Sequence, residues 1–177
     1  MKQAEIEAIV MAVGGGNFKV GGRRVERKVF YMQKDVTALG GKFKMIDETT
    51  DKAVGITNFP KGNILPKDMD IIVLGIKAEN DTTLATPKAA LYRNLPAGVL
   101  QNSELIISQD GVLVSSPLSA FFNGGTPTKT EDDYFQTQPF YIKAEKSFDV
   151  EIETPAGATV GVTTCLGISL DCLVLSR

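Results

Sequence analysis

The sequence predicts an all-β chain folded as an antiparallel β-sandwich, and three observations carry that prediction. Between Ser103 and Glu153, SELIISQ, then Asp110-Gly111, then VLVSS read as two short strands joined by a two-residue turn. Asp-Gly accepts positive φ at both turn positions, which a type I′ hairpin needs to match the strand twist. Next, Phe148, Val150 and Ile152 alternate with Asp149, Glu151 and Glu153, so one face of that segment is apolar and the other acidic. A strand with one buried face has that period of two. Last, no internal repeat and no strand–helix alternation is visible, which argues against solenoids and parallel α/β folds.

The elements follow in chain order. Ile6, Ile9, Val10 and Val13 keep helical spacing before Gly14-Gly15-Gly16, although IVMAV is equally compatible with an apolar edge strand. GGGNFKVGGRRVERKVF is glycine-rich and concentrates Lys19, Arg23, Arg24, Arg27 and Lys28. Strands are expected at Lys28 to Gln33 and Lys42 to Ile46, parted by Gly40-Gly41. A polar connection from Asp47 to Asp70 leaves room for one more near Val54 to Thr57. DIIVLGIK is a run suited to a strand buried on both faces. AALYR and the Asp-Gly hairpin come next, and FFNGGTPTKTEDDYFQTQP is a long loop. PFYIK and SFDVEIE resume the strands before the TPAG turn. VGVTTCLGISLDCLVLS keeps period two but exceeds the usual strand of about five or six residues, so a break at Gly161 or Gly167 is expected. The total is roughly nine or ten strands with almost no helix, a pattern best fitted by a jelly-roll sandwich. Residues 1–26 form an N-terminal segment with a basic arm, and residues 27–177 a single sandwich domain.

Bulk properties bound the function. A chain of 177 residues with 43% hydrophobic and 23% charged residues supports one well-buried core. Net charge is −2 and the pI near 5.3, so no global pull toward nucleic acid or anionic membrane exists. The start, MKQAEIEAIVMAV, does not read as a secretory signal, and no stretch approaches the ~20 apolar residues that span a bilayer. A soluble protein is expected. Cys165 and Cys172 are separated by an odd number, which puts them on opposite faces of one strand, about 23 Å apart. Two free buried thiols are expected unless the chain folds back near Gly167. Asn80-Asp81-Thr82 matches a glycosylation sequon, which is uninformative without a secretory route.

Candidate chemistry is sparse. The chain contains no histidine, the commonest general base and metal ligand. GGGNFKVGGR and GGKFK lack the phosphate-loop pattern and any following helix. Glu131-Asp132-Asp133 lacks calcium-loop spacing. Glu151 and Glu153 lie about 7 Å apart on one strand face, a separation that suits a glycosidase pair but is commonplace on strands. Ser115, Ser116 and Ser119 have no base to activate them and no nucleophile elbow. No cofactor, no metal site and no catalytic residue is expected. The basic run has three readings: a solvated segment, an arm that grips neighbouring copies, and, least favoured because only Phe18 offers stacking nearby, a nucleic-acid contact.

Three stretches in order resemble the jelly-roll virion proteins of bacteriophages: NILPKDMDIIVLGIKAEN, LPAGVLQNSELIISQDGVLVSSPLSAFFN, and QPFYIKAEKSFDVEIETPAGATVGV with its closing LGISLDCLVL. The resemblance runs from Asn63 to Leu175 and rests on strand order and loop character. It implies a non-enzymatic capsid, penton or decorating subunit, made in the host cytoplasm and located in the virion, whose partners are copies of itself and other virion proteins. Lys19, Arg23, Arg24 and Arg27 would then form the assembly arm, with Phe121, Phe122, Tyr134 and Phe135 as interface anchors. Asp149, Glu151 and Glu153 would be an acidic landing stripe for another copy's arm. The alternative is a carbohydrate-binding or adhesive sandwich using Tyr92, Tyr134 and Tyr141, against which the absence of tryptophan counts.

Overall fold

The computed structural model describes residues 3–13, 23–84, 86–93, 98–122 and 134–176. It contains one α-helix, α1 (Gln3–Val13), and eight strands: β1 (Arg24–Asp35), β2 (Lys42–Lys44), β3 (Met69–Asp81), β4 (Glu104–Ser108), β5 (Val112–Pro117), β6 (Phe135–Ile142), β7 (Asp149–Glu153) and β8 (Cys165–Ser176). The strands form two antiparallel four-stranded sheets, ordered β1-β8-β3-β6 and β2-β7-β4-β5. The two sheets are strands of one sandwich. Phe30, Met32, Ile71, Val73, Ile168 and Leu170 of the first sheet share a single core with Leu105, Ile107, Val150 and Ile152 of the second. Phe59, from the β2–β3 connection, stacks on Phe30 at 4.7 Å and tilts against Phe148 at 5.3 Å.

The pairing is nested. β1 pairs with β8, β2 with β7, β3 with β6 and β4 with β5, so the first strand meets the last and the chain closes inward on its central hairpin. Two further pairings, β3 with β8 and β4 with β7, knit these hairpins into sheets.

Helical spacing prevails at the start of the chain. α1 lays Ile6, Ile9, Val10 and Val13 on the outer face of the first sheet, against Ile72, Leu74, Leu173 and Leu175. That cover explains why DIIVLGIK is apolar at successive positions: Ile71 and Val73 face the inter-sheet core, while Ile72 and Leu74 face α1.

Several boundaries differ from expectation. β1 begins at Arg24, not Lys28, so the end of the basic run is strand. The segment near Val54 to Thr57 makes only isolated bridges, and AALYR starts at the end of a short 3-10 turn (Pro87–Ala89) and makes one bridge, Arg93 to Asn80. β8 crosses Gly167 unbroken, because its twelve residues pair on both sides, with β1 and β3. The break falls at the other expected position, Gly161, where residues 161–164 lie outside any strand and Thr163 takes φ 58°. The hairpin tip has three residues, since Ser108 pairs with Val112, and a register shift follows. Gln109 is drawn down onto Lys143 N, Lys143 O and Lys146 O, which commits a third residue to the turn. The result is eight strands among the described residues in place of nine or ten.

Both cysteines are free and buried, as expected, and on opposite faces. Cys172 lies in the inter-sheet core, and the Cys165 thiol donates to Leu84 O at 3.0 Å. Asn80 of the sequon is buried and bridged to Arg93, which closes it to modification in the folded chain.

Candidate functional site

The basic residues are mostly consumed within the chain. Lys19 lies outside the described residues. Arg23 binds Asp70 at 2.6 Å, and Arg27 holds Asp171 through two bonds, Nε to Oδ1 at 3.0 Å and Nη2 to Oδ2 at 2.7 Å. Asp171 sits mid-strand in β8 with 3% of its side chain exposed, so Arg27 is the counter-charge that makes this burial tolerable. Arg24 is exposed and meets Glu26 only at 3.8 Å. Sequence reasoning missed Asp70 and Asp171 because both lie far along the chain and the cross-sheet register supplies them.

The acidic stripe is likewise partnered from within. Lys42 binds Glu151 at 2.9 Å and Lys44 binds Asp149 at 2.8 Å, both across the β2–β7 ladder. Hydrogen bonding to Glu151 raises the pKa of Lys42, and bonding to Asp149 raises that of Lys44. Glu153 makes no ion pair with a described residue and stands directly opposite Glu104 of β4, a like-charge pairing that costs stability. Only that end of the stripe still presents unbalanced negative charge.

The aromatic quartet divides. Phe121 and Phe122 are buried core residues. Tyr134 lies over Gly75, where a Cβ would come within 3.0 Å of the tyrosine Cβ, and its hydroxyl bonds Ser169. Burial pushes that hydroxyl's pKa up to about 12. Phe135 is different: half-exposed, it packs edge-on against Phe121 at 5.4 Å. Tyr92 and Tyr141 share the outer side of the first sheet with Tyr134. Tyr92 covers Gly167 and donates to Pro87 O, whereas Tyr141 packs under α1 and bonds Asp70. These rings are spent on packing, so they form no open stacking platform. Glu131, Asp132 and Asp133 lie outside the described residues, and no group of three potential metal ligands occurs among the described residues. No described helix is long and apolar enough to cross a membrane.

What the structure adds is an asymmetry between the two flanks of the sandwich. On one flank, β1 and β2 are the edge strands, and both are protected. Asn58 accepts from Tyr31 N and donates to Val29 O, both at 2.8 Å, while Thr57 Oγ1 donates to Tyr31 O and Ile56 O accepts from Gln33 N. β2 is three residues long, with a lysine at each end. Short, charged or covered edges resist pairing with other chains. On the opposite flank, β5 and β6 are the edges, and neither carries a single charged residue. Between them runs a groove. Its larger part, about 730 Å³, lies among α1, the hairpin tip and β6, touching Ala12, Leu113, Gln138 and Tyr141, with Asp110 and Lys143 at the hairpin end. A smaller part of about 270 Å³ continues past Leu113 and Gln138 to Phe121 and Phe135. Val112 is 68% exposed at its rim. The sequence signal was present, since VLVSSP and FQTQPFYI are the two uncharged strands, but only the sheet order brings them to one flank.

Set against known proteins, the chain matches no protein-family model and no curated sequence.

Proposed function

We propose that this chain is a non-enzymatic structural subunit of a bacteriophage particle, folded as a jelly roll and built into or onto the shell as a capsid, penton or decorating protein. The observation that carries the reading is the nested pairing of strands one with eight, two with seven, three with six and four with five. Wrapping such a strip so that its hairpins alternate between two sheets produces the eight-stranded jelly roll. The phage assignment draws on the resemblance across residues 63–175. The charge distribution of the described residues fits a tile: Arg23, Arg27, Lys42 and Lys44 are paired within the chain, and the two edge strands of one flank, β5 and β6, carry no charge.

The reading predicts discrete homo-oligomers or association with particles. Size-exclusion with light scattering, followed by negative-stain microscopy, reads both. A strictly monomeric chain at high concentration that fails to join particles assembled from its co-expressed neighbours would sink it. Selective binding on a glycan array would favour the adhesive alternative instead.

A further inference from the structure

We propose that a second copy of this chain docks on the neutral flank, β5 against β5 across a two-fold axis, joining the two β2-β7-β4-β5 sheets into one eight-stranded sheet. The inference rests on the assembly reading above and names the surface that assembly would use.

Charge selects the occupant. β5 and β6 offer fourteen positions without a charge, so a charged strand docked along them would meet no counter-ion short of Asp110 and Lys143 at the hairpin end. Within this chain the other two edges are excluded. β1 carries Arg24, Glu26, Arg27, Lys28, Lys34 and Asp35, and β2 carries Lys42 and Lys44. The flank that matches a neutral flank is the same flank on another copy, which makes the contact isologous and its symmetry two-fold. Two identical strands related by a two-fold axis normal to them run antiparallel, the better-aligned ladder.

Between the two edges, β5 is the pairing strand. Its stretch Val112–Ser116 is free of proline and rich in valine, whereas Pro139 interrupts β6 and removes a donor. β6 would instead lay Phe135 and Gln138 beside the partner, closing the groove between the sheets. The flank is long enough: eight residues of β6 at about 3.3 Å each, on a sandwich about 20 Å across with its side chains, give roughly 500 Å² per copy. Both copies together then bury about 1,000 Å², the threshold for a specific interface.

Ser115→Lys tests the contact, because Ser115 is exposed on β5 and a lysine there would bring two like charges into the joined sheet. Sedimentation equilibrium should put its dissociation midpoint at least tenfold higher in concentration than wild type. Val54→Lys, a control on the opposite flank at a residue 91% exposed, should leave it unchanged. Unchanged association in Ser115→Lys overturns the flank contact while leaving the assembly reading intact; a monomeric wild type overturns the flank contact, and one that also fails to join particles overturns both. If Ser115→Lys does not melt cooperatively, hydrogen exchange on wild type decides. Protection of amides 112–116 that rises with protein concentration supports the contact, and concentration-independent exchange overturns it.

Discussion

Replacing Arg27 separates two roles that one residue has been given, arm and sheet anchor. Arg27→Met keeps the aliphatic stem but removes the partner of Asp171, whose side chain is 3% exposed. Breaking a buried pair by deleting one member costs about 3–5 kcal/mol, and the low end applies because the guanidinium is itself 31% exposed. For a chain of this size each kcal/mol moves the melting temperature by about 2–4 °C, so a fall of roughly 6–12 °C is expected. The double variant Arg27→Met/Asp171→Leu should recover to within about 1 kcal/mol of wild type, since well-packed apolar replacements of buried pairs are often neutral or better. Arg24→Ala is the contrast: its exposed 3.8 Å pair with Glu26 should be worth less than about 0.5 kcal/mol. Urea titration and calorimetry of the four proteins read these differences. An Arg27→Met protein as stable as wild type would refute the buried-pair argument and return Arg27 to the arm.

The remaining predictions concern single groups. The Asp81 carboxylate accepts from Thr83 Oγ1, Thr83 N and Leu91 N at 2.6–2.7 Å, and these bonds, led by that from the Thr83 side chain, lower its pKa. Its stabilisation is therefore present above the ordinary carboxylate pKa and lost as pH falls through the lowered one. Urea midpoints should decline below about pH 4, and Asp81→Asn should cost about 1–3 kcal/mol at pH 7 and flatten that acid limb. Burial pushes the Cys165 thiol up to about 11 and Cys172 well above its ordinary value, so an aromatic disulfide reagent at pH 8 should release nothing from folded protein and two equivalents in denaturant. Prompt release of one equivalent from the native chain would contradict the burial of Cys165. Gly62→Ala should cost more than about 2 kcal/mol by urea titration, because Gly62 has φ 47° and its added Cβ would fall 2.2 Å from Asp47 O.

Legibility in the sequence followed local signal. β4 and β7 were read nearly to the residue because each has one wet face and one dry one, and β5 because it follows β4 across the Asp110-Gly111 turn. The core of β3 was legible for the opposite reason, an apolar run covered on both sides. β1 was only half seen. It is an edge strand whose first six residues are largely exposed, so RVERK keeps no apolar alternation and reads as a solvated arm. The loop after β3 was read as a strand at AALYR because it is apolar, yet only Tyr92 packs on the sheet's outer side, Leu91 is exposed, and a single bridge at Arg93 joins it to β3. Of the residues assigned to assembly, Phe135 emerged exposed on the open flank, while Arg23, Arg27, Asp149 and Glu151 turned out to have partners in the same chain. Those partners are set by register, and no window of sequence contains both ends of a β1–β8 or β2–β7 contact.

The nested order of strands also dictates when the fold can close. β8 follows every other strand in the chain yet stands at the centre of its sheet, between β1 and β3. During synthesis β1, β3 and α1 therefore emerge before the strand that holds them together exists, and pairing Arg24 with Ser176 waits for nearly the whole described chain. Such long-range closure is slow, and exposed edges are vulnerable until it occurs. The second sheet, built from β2, β4, β5 and β7, has all its strands earlier. Maturation thus has an internal clock: the neutral edge of β5 is made early, but the rigid sandwich that would present it to a partner is completed only when β8 slides into place.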